Sequence, residues 1–219
     1  MTGKPAIFLD RDGTLNEGVG YVSHPSRFTL FPWTVEAIRA IRDEGFLAVM
    51  ITNQSGIGRG YFSEEMLLSI HTDFQRLLEA AGTALDGIYY CPHRPGEGCE
   101  CRKPKPGMLL RASKELGCDL SRSWMVGDNE SDLKTAWSVG ARAALVRTGD
   151  GEGNLGYQAR SWLRQPDLVA ANLHRAVCDI LWSPQPERSA SESAVKRRAS
   201  RAARAAGVGP RGTECSPLP

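Results

Sequence analysis

Apolar residues along this chain keep two alternating rhythms. Short unbroken runs, Pro5 to Leu9, Leu47 to Ile51, Ile88 to Tyr90, Trp124 to Val126 and Ala143 to Val146, have the length of buried strands. Between them, apolar positions recur every three or four residues. Val35, Ile38 and Ile41 predict a helix that Thr34 can cap and Gly45 ends. Leu67, Ile70, Phe74, Leu77, Leu78 and Ala81 form a clearer stripe behind a Ser63 cap, with Glu64 and Glu65 in the first turn where the helix dipole favours them. Pro106 opens a helix reaching Leu116, and another runs from Glu130 to Val139, closed by Gly140. Residues 16–33 carry Gly18, Gly20, Pro25 and Pro32 without a period and predict a loop. Strands alternating with helices in this way predict an α/β fold, a Rossmann-like parallel sheet with helices on both faces. In such a sheet the C-terminal strand ends share one edge, where ligands bind.

Gly149 to Leu155 is Gly-rich and predicts a loop, and residues 156–182 are weakly helical. Beyond Ser183, Pro, Ser, Ala and Arg dominate, and too little apolar surface remains to offset the entropy of ordering. The expected organisation is one domain over residues 1–182 and a disordered basic tail over 183–219. The net charge of +2 over 219 residues hides this division. Seven of the 27 Lys and Arg lie in the tail against three of the 25 Asp and Glu, so the body is slightly acidic. No run approaches the roughly 20 apolar residues of a membrane span, and the first five residues lack a signal-peptide core. These features predict a cytoplasmic protein with no membrane partner.

Three motifs end on strands. Asp10 and Asp12 follow the first, and residues two apart on an extended chain face the same side, with Arg11 pointing away. Two neighbouring carboxylates repel unless a cation or a shared proton offsets them, so the pair implies a divalent metal or a division of acid and base roles. Thr52, Asn53, Gln54 and Ser55 follow the second strand, and Asp128 and Asn129 the fourth. All three groups converge at one edge. Of the six cysteines, Cys91, Cys99 and Cys101 fall within eleven residues beside His93. Two C-x-[CH] pairs in so short a loop fit a closed, tetrahedral, structural Zn2+. Because Arg102 and Lys103 follow Cys101 directly, the ion would fix the loop that aims them. Cys118, Cys178 and Cys215 show no such pairing and read as ordinary thiols.

Asp10-x-Asp12-Gly13-Thr14 with Thr52, Lys103 and Gly127-Asp128 resembles the four-motif signature of the haloacid dehalogenase superfamily of phosphotransferases. The resemblance covers residues 5–148 and implies strand order 5-4-1-2-3 and Mg2+-dependent phosphoryl transfer through an aspartyl-phosphate. On that resemblance Asp10 is the nucleophile and Asp12 the acid and base; from the residues alone the two are not distinguished. Thr52 and Lys103 would meet the phosphoryl oxygens, and Asp10, Asp12, Asp128 and Asn129 would surround the Mg2+. Asp132, four residues beyond Asp128, can orient metal-bound water.

The stretches Thr52 to Phe62 and Cys101 to Met108 look like the heptose bisphosphate phosphatases, whose nearest kin are histidinol-phosphate phosphatases; Arg59-Gly60-Tyr61-Phe62 leans to the former. That likeness places Gly18, Val19, Gly20, Tyr21, Asn53, Gln54, Ser55 and Arg102 against a phosphorylated sugar. Asn129 stands where a basic residue is often found. The segments between motifs leave no room for a large cap domain, so the site is expected to be open, on a monomer. A polynucleotide phosphatase, which would use the basic tail, fits the acidic body poorly. A zinc module without catalysis would lack a catalytic group, and none is missing.

Overall fold

Each apolar run expected to be a strand is one, and a sixth strand joins them. β1 (Ala6–Leu9), β2 (Leu47–Asn53), β3 (Gly87–Cys91), β4 (Trp124–Gly127), β5 (Arg142–Val146) and β6 (Leu168–Ala170) form one sheet in the order β3-β2-β1-β4-β5-β6. All five pairings are parallel. This computed structural model describes residues 3–182, so the tail expected over 183–219 lies outside the described residues. Residues up to Val177 cluster as one unit, and a second begins at Cys178. Among the described residues no helix is long and apolar enough to cross a membrane.

The central strands read as continuous apolar runs because both faces are covered. Every residue of β1 and β4 is buried. Phe8, Val49, Ile51, Met125, Ala143 and Leu145 share one core cluster with Met108, Leu109 and Ala112 of α4 (Gly107–Leu116) and with Leu133 and Ala136 of α5 (Glu130–Ser138). By pleat alternation Ile7, Leu9, Ala48, Met50 and Val126 point to the opposite face. Right-handed crossovers place α1 (Thr34–Asp43) and α3 (Glu64–Ala80) there. Between β2 and α3 the short α2 (Ser55–Gly58) turns the chain. From β1 the chain runs outward through β2 to β3, then crosses back to β4 on the other side of β1 and runs outward the other way, which opens a crevice at the β1–β4 boundary. Leu9 pairs with both Met50 and Val126, so Asp10, Thr52 and Asp128 emerge nearly level.

Several local expectations need correction. Thr34 is not the cap of α1: Trp33 occupies that position without a side-chain bond, and Thr34 sits inside the first turn with its hydroxyl donating to Leu15 O at 2.6 Å. Ser63 does cap α3, accepting from Met66 N at 3.2 Å. The stretch 149–155 is not a plain loop but begins a run of short helical turns, starting with α6 (Gly151–Gly153). Residues 156–182 hold β6 before α7 (Leu173–Trp182); three residues of edge strand are too short to show a period. Cys118 is a buried free thiol as expected, whereas Cys178 is disulfide-bonded and is no ordinary thiol. Cys215 lies outside the described residues.

Asp167 pins the β6 edge to the sheet. Its carboxylate accepts from Ala143 N at 2.8 Å, Trp137 Nε1 at 3.1 Å and Arg164 Nη2 at 2.8 Å. Burial pushes its pKa up, but the Ala143 N–H and these partners outweigh it and hold the group below its usual 3.8. Such a carboxylate stabilises the fold above its unfolded pKa, and the contribution is lost as pH falls through the lower folded value. Asp167→Ala should cost about 1–3 kcal/mol, since three donors lose their partner. Urea titrations should give the same loss at about pH 5 and pH 8 and a smaller one below about pH 4. A loss that grew as the solution became more acidic would contradict this account.

Candidate active site

The chain brings three carboxylates and one ammonium to the crevice. Asp10, Asp128 and Asp132 each place an oxygen within 4.8 Å of the others. Lys103 Nζ lies 2.7 Å from Asp10 Oδ1 and 2.6 Å from Asp132 Oδ1, and donates to Ile51 O at 3.1 Å. The Asp132 contact is an ion pair off the hydrogen-bonding direction, since that oxygen has no aligned donor. One ammonium against three carboxylates leaves two negative charges unmatched. Burial pushes Asp10 up to about 7; Lys103 opposes this, while Asp132 and Asp12 add to it. Asp128 rises to about 8 through burial and the repulsion of Asp10 and Asp132. A hard divalent cation among these oxygens would supply the missing charge, so the residues fit Mg2+.

Local sequence explains each placement. Asp10 leaves β1 with its Oδ1 accepting Arg11 N–H at 2.7 Å. Asp128 Oδ2 accepts Asp150 N–H at 2.8 Å. Asp132 folds back to accept Asn129 N–H at 3.1 Å, completing a capping box in which Asn129 Oδ1 accepts from Ser131 N. Two glycines make the approach possible. A methyl on Gly127 would overlap Asp132, and Gly13, at φ +81°, lies so close to Asp128 that a methyl would overlap Oδ2. Lys103 is delivered by Asn53, whose amide accepts from Lys103 N at 3.0 Å and donates to Lys103 O at 3.2 Å. Asn53, expected against substrate, therefore spends both ends of its side chain on the lysine backbone.

Asp12 lies beside this group and is held separately. Gln54 Nε2 donates to Asp12 Oδ2 at 3.0 Å and to Thr52 Oγ1 at 2.9 Å, so the Thr52 hydroxyl hydrogen is free to donate. Arg11 does not point away as alternation suggests. It is fully buried, and its guanidinium turns back to pair with Asp12 at 2.8 Å. His71 packs behind it, with Nε2 3.4 Å from Arg11 Nη1, and burial together with Arg11 drives its pKa down to about 3. At the rim, Gly18 approaches Gly13, Arg27 Nη2 donates to Val19 O at 3.1 Å, and Gly20 adopts φ +75°. Tyr21 and Tyr61 meet edge to face at 4.9 Å above Gly56, while Ser55 begins α2 and is buried.

Cys91, His93, Cys99 and Cys101 form the second cluster, all within 4.8 Å. Cys91 Sγ lies 3.7 Å from Cys99 Sγ and 3.5 Å from His93 Nδ1, and Cys101 Sγ lies 3.3 Å from His93 Nδ1. A tetrahedral Zn2+ at ordinary bond lengths requires sulfur–sulfur edges of about 3.8 Å and sulfur–nitrogen edges of about 3.6 Å. The residues fit. β3 delivers Cys91 next to Asn53, and Arg102 Nη1 donates to His93 O at 3.3 Å, so this loop and Lys103 are one construction.

Comparison with known proteins agrees with this geometry. A family profile described as HAD-hydrolase-like matches residues 100–176. The D-glycero-beta-D-manno-heptose-1,7-bisphosphate 7-phosphatase of Yersinia pestis is 45% identical over 168 residues, 73% of this chain and 89% of that protein. The chain belongs to the heptose bisphosphate phosphatase family. A D-glycero-D-manno-heptose-1,7-bisphosphate 7-phosphatase of Thermosynechococcus vestitus is 41% identical over 187 residues, 80% of this chain and 94% of that one. The crystal structure of D,D-heptose 1,7-bisphosphate phosphatase from B. bronchiseptica, complexed with magnesium and phosphate, superposes with a TM-score of 0.75 at 34% identity, covering 81% of this chain and 98% of that chain. As a member of this family the chain is a phosphoric monoester hydrolase of the haloacid dehalogenase type.

Sequence reasoning passed over the residues that support this family's centre here. Arg11 and Asn16 hold Asp12. Thr148 Oγ1 donates to Gly13 O at 2.6 Å and Asn154 Nδ2 to Asp128 O at 3.0 Å, the first just before and the second within the segment taken for a loop. The signal available was its position: it follows β5, at the same sheet edge as the motifs.

Lys103 is the cation on which the buried acids depend. The unfolded chain ionises its aspartates near 3.8, whereas Asp10 does so near 7 in the fold, so between these values stability falls as pH rises. Removing Lys103 raises the folded values further and widens the window. Lys103→Met should therefore cost about 3–5 kcal/mol at about pH 8 and clearly less at about pH 5, by urea denaturation without Mg2+. Equal losses at both pH values would sink this reading.

Proposed function

We propose that this chain removes the 7-phosphate of D-glycero-D-manno-heptose 1,7-bisphosphate through an aspartyl-phosphate, with Mg2+ as cofactor and a structural Zn2+ in the Cys/His loop. The observation that carries the chemistry is Asp10. Its Oδ1 is occupied by Arg11 N–H and Lys103, its side chain keeps 13% of its surface open, and no hydrogen bond runs to Oδ2 among the described residues. Oδ2 is then the oxygen that attacks phosphorus, and the ester bond to the leaving alkoxide breaks. Asp12, with 26% of its side chain open, gives the alkoxide its proton. In the second half Asp12 takes a proton from water, whose oxygen displaces Asp10 from phosphorus. Thr52 donates its free hydroxyl hydrogen to a phosphoryl oxygen, and Lys103, held between Asp10, Asp132 and Ile51 O, acts as a fixed positive charge. Bound Mg2+ would draw charge off the phosphoryl oxygens and lower the repulsion met by the nucleophile. Asp10 and Asp128 are the carboxylates for it. Asp12 and Asn129, whose side chains are engaged elsewhere, are left with their main-chain carbonyls.

Support for the sugar comes from the relatives named above; the histidinol-phosphate phosphatases are the rival the sequence suggests. Arg102 and the loop over residues 18–21 are the groups proposed to meet the second phosphate and the hydroxyls. Asp10→Asn should abolish turnover while leaving the fold intact by circular dichroism. On the wild type, kcat/KM for the heptose bisphosphate should exceed that for histidinol phosphate by at least about tenfold, a difference of about 1.4 kcal/mol in transition-state binding. A fully active Asp10→Asn refutes the covalent route, and a preference for histidinol phosphate refutes the sugar.

The zinc reading has its own test. Purified protein should carry one Zn2+ per chain by elemental analysis, and Cys99→Ser with Cys101→Ser should lose it. Turnover should then fall because Arg102 and Lys103 lose their anchorage. Zinc retained by the double variant would exclude these ligands.

A further inference from the structure

Asp12 is held more completely than its place at an open rim requires. Arg11 Nε lies 3.1 and 3.2 Å from its two oxygens and Arg11 Nη2 3.0 and 2.8 Å. Asn16 Nδ2 donates to Oδ1 at 3.0 Å and Gln54 Nε2 to Oδ2 at 3.0 Å. Four N–H donors meet the two oxygens, those of Arg11 each shared between both, so the group cannot rotate without losing partners. The guanidinium is itself fixed. It is fully buried, its Nη1 faces His71 Nε2 at 3.4 Å, and its central carbon lies 5.9 Å from the centre of the Phe28 ring. The chain has buried a charge directly behind a half-buried acid, at a cost that simple solubility of Asp12 would not justify.

We propose that Arg11, seconded by Gln54, is a positioning residue that aims the Asp12 carboxylate at the leaving oxygen and then at water. This rests on the reading of Asp10 as nucleophile and Asp12 as acid and base. The first half-reaction forms the Asp10 Oδ2–phosphorus bond, breaks the phosphorus–alkoxide bond and sends the Asp12 proton to the alkoxide. The second forms the water oxygen–phosphorus bond, breaks the bond to Asp10 and returns a proton to Asp12. A misaimed Asp12 slows both halves for an alkyl ester. For an aryl ester, whose leaving group needs no proton, it slows only the second.

That asymmetry is the test. Wild type, Arg11→Met and Gln54→Leu are compared on p-nitrophenyl phosphate and on the alkyl phosphate substrate, with Mg2+ present and rapid mixing. Arg11→Met should release about one nitrophenolate per active site in a burst and then turn over slowly, while the alkyl ester slows by about 100-fold without a burst. Gln54→Leu removes one donor without stranding a charge, so it reports even if Arg11→Met does not fold; it should shift the same way by a smaller factor. Equal slowing of both esters without a burst means that Arg11 serves only the fold, and unchanged kinetics mean that it does nothing for Asp12; either overturns the proposal. Asp12→Asn is the control and must itself show the burst. Its failure, or an active Asp10→Asn, would overturn the underlying acid and nucleophile assignments instead.

Discussion

Three carboxylates must share one ammonium in a space largely closed to water, and the rest of the centre is arranged around that imbalance. Lys103 cannot neutralise Asp10, Asp128 and Asp132 together. Desolvation, with the repulsion between the acids, lifts Asp10 to about 7 and Asp128 to about 8, so their charge calls for a cation. The backbone makes the group tenable. Each of the three accepts one main-chain N–H, from Arg11, Asp150 and Asn129 respectively. These donors belong to the main chain, so the oxygens face a fixed point in advance. Preorganised dipoles of this kind cost no rearrangement as charge develops.

The topology supplies those donors because it reverses direction beside Asp10. β1 lies between β2 and β4, and the chain reaches β2 and β3 on one side before crossing to β4, β5 and β6 on the other. Loops after β1, β4 and β5 meet in one crevice, and the side chains after β2 close it. Close packing of backbone follows. Gly13 and Gly127 leave no space for a methyl between the strand ends and the acids, so the acids can approach to contact distance. A sheet without this switch would carry the same strand-end residues on diverging loops.

Much of this was legible because it depends on local pattern. Five strands, the α3 stripe with its Ser63 cap and the convergence of Asp10, Thr52 and Asp128 follow from periodicity and from the rule that parallel strands end at one edge. What escaped notice depends on contacts between distant segments. Alternation put Arg11 on the far side of the strand, but the chain leaves extended geometry at that residue, and a long side chain can turn back to its neighbour. Thr148, Asp150 and Asn154 looked like loop residues because their partners, Gly13 and Asp128, lie more than a hundred or more than twenty positions away. β6 was too short to declare itself, and the clamp of Asn53 on the Lys103 backbone joins segments fifty positions apart.

The two ligand clusters divide metals by chemistry before geometry enters. One offers only oxygen, the other three sulfurs and an imidazole, so a hard cation and a borderline-soft one would have little reason to exchange places. Yet the clusters are mechanically joined: Cys91 pairs with Asn53 across β3 and β2, Asn53 clamps Lys103, and Lys103 bonds to Asp10. Disorder in the Cys/His loop would therefore reach the acidic centre in three contacts, without any ligand being shared. The rim is tied to the same parts. Arg102 leans on the His93 carbonyl, Gly18 on Gly13, and Tyr21 on Gly56 and Tyr61. The rim segments are thus anchored to the parts that hold the acidic centre, so an open site can be shaped by short segments held at several points.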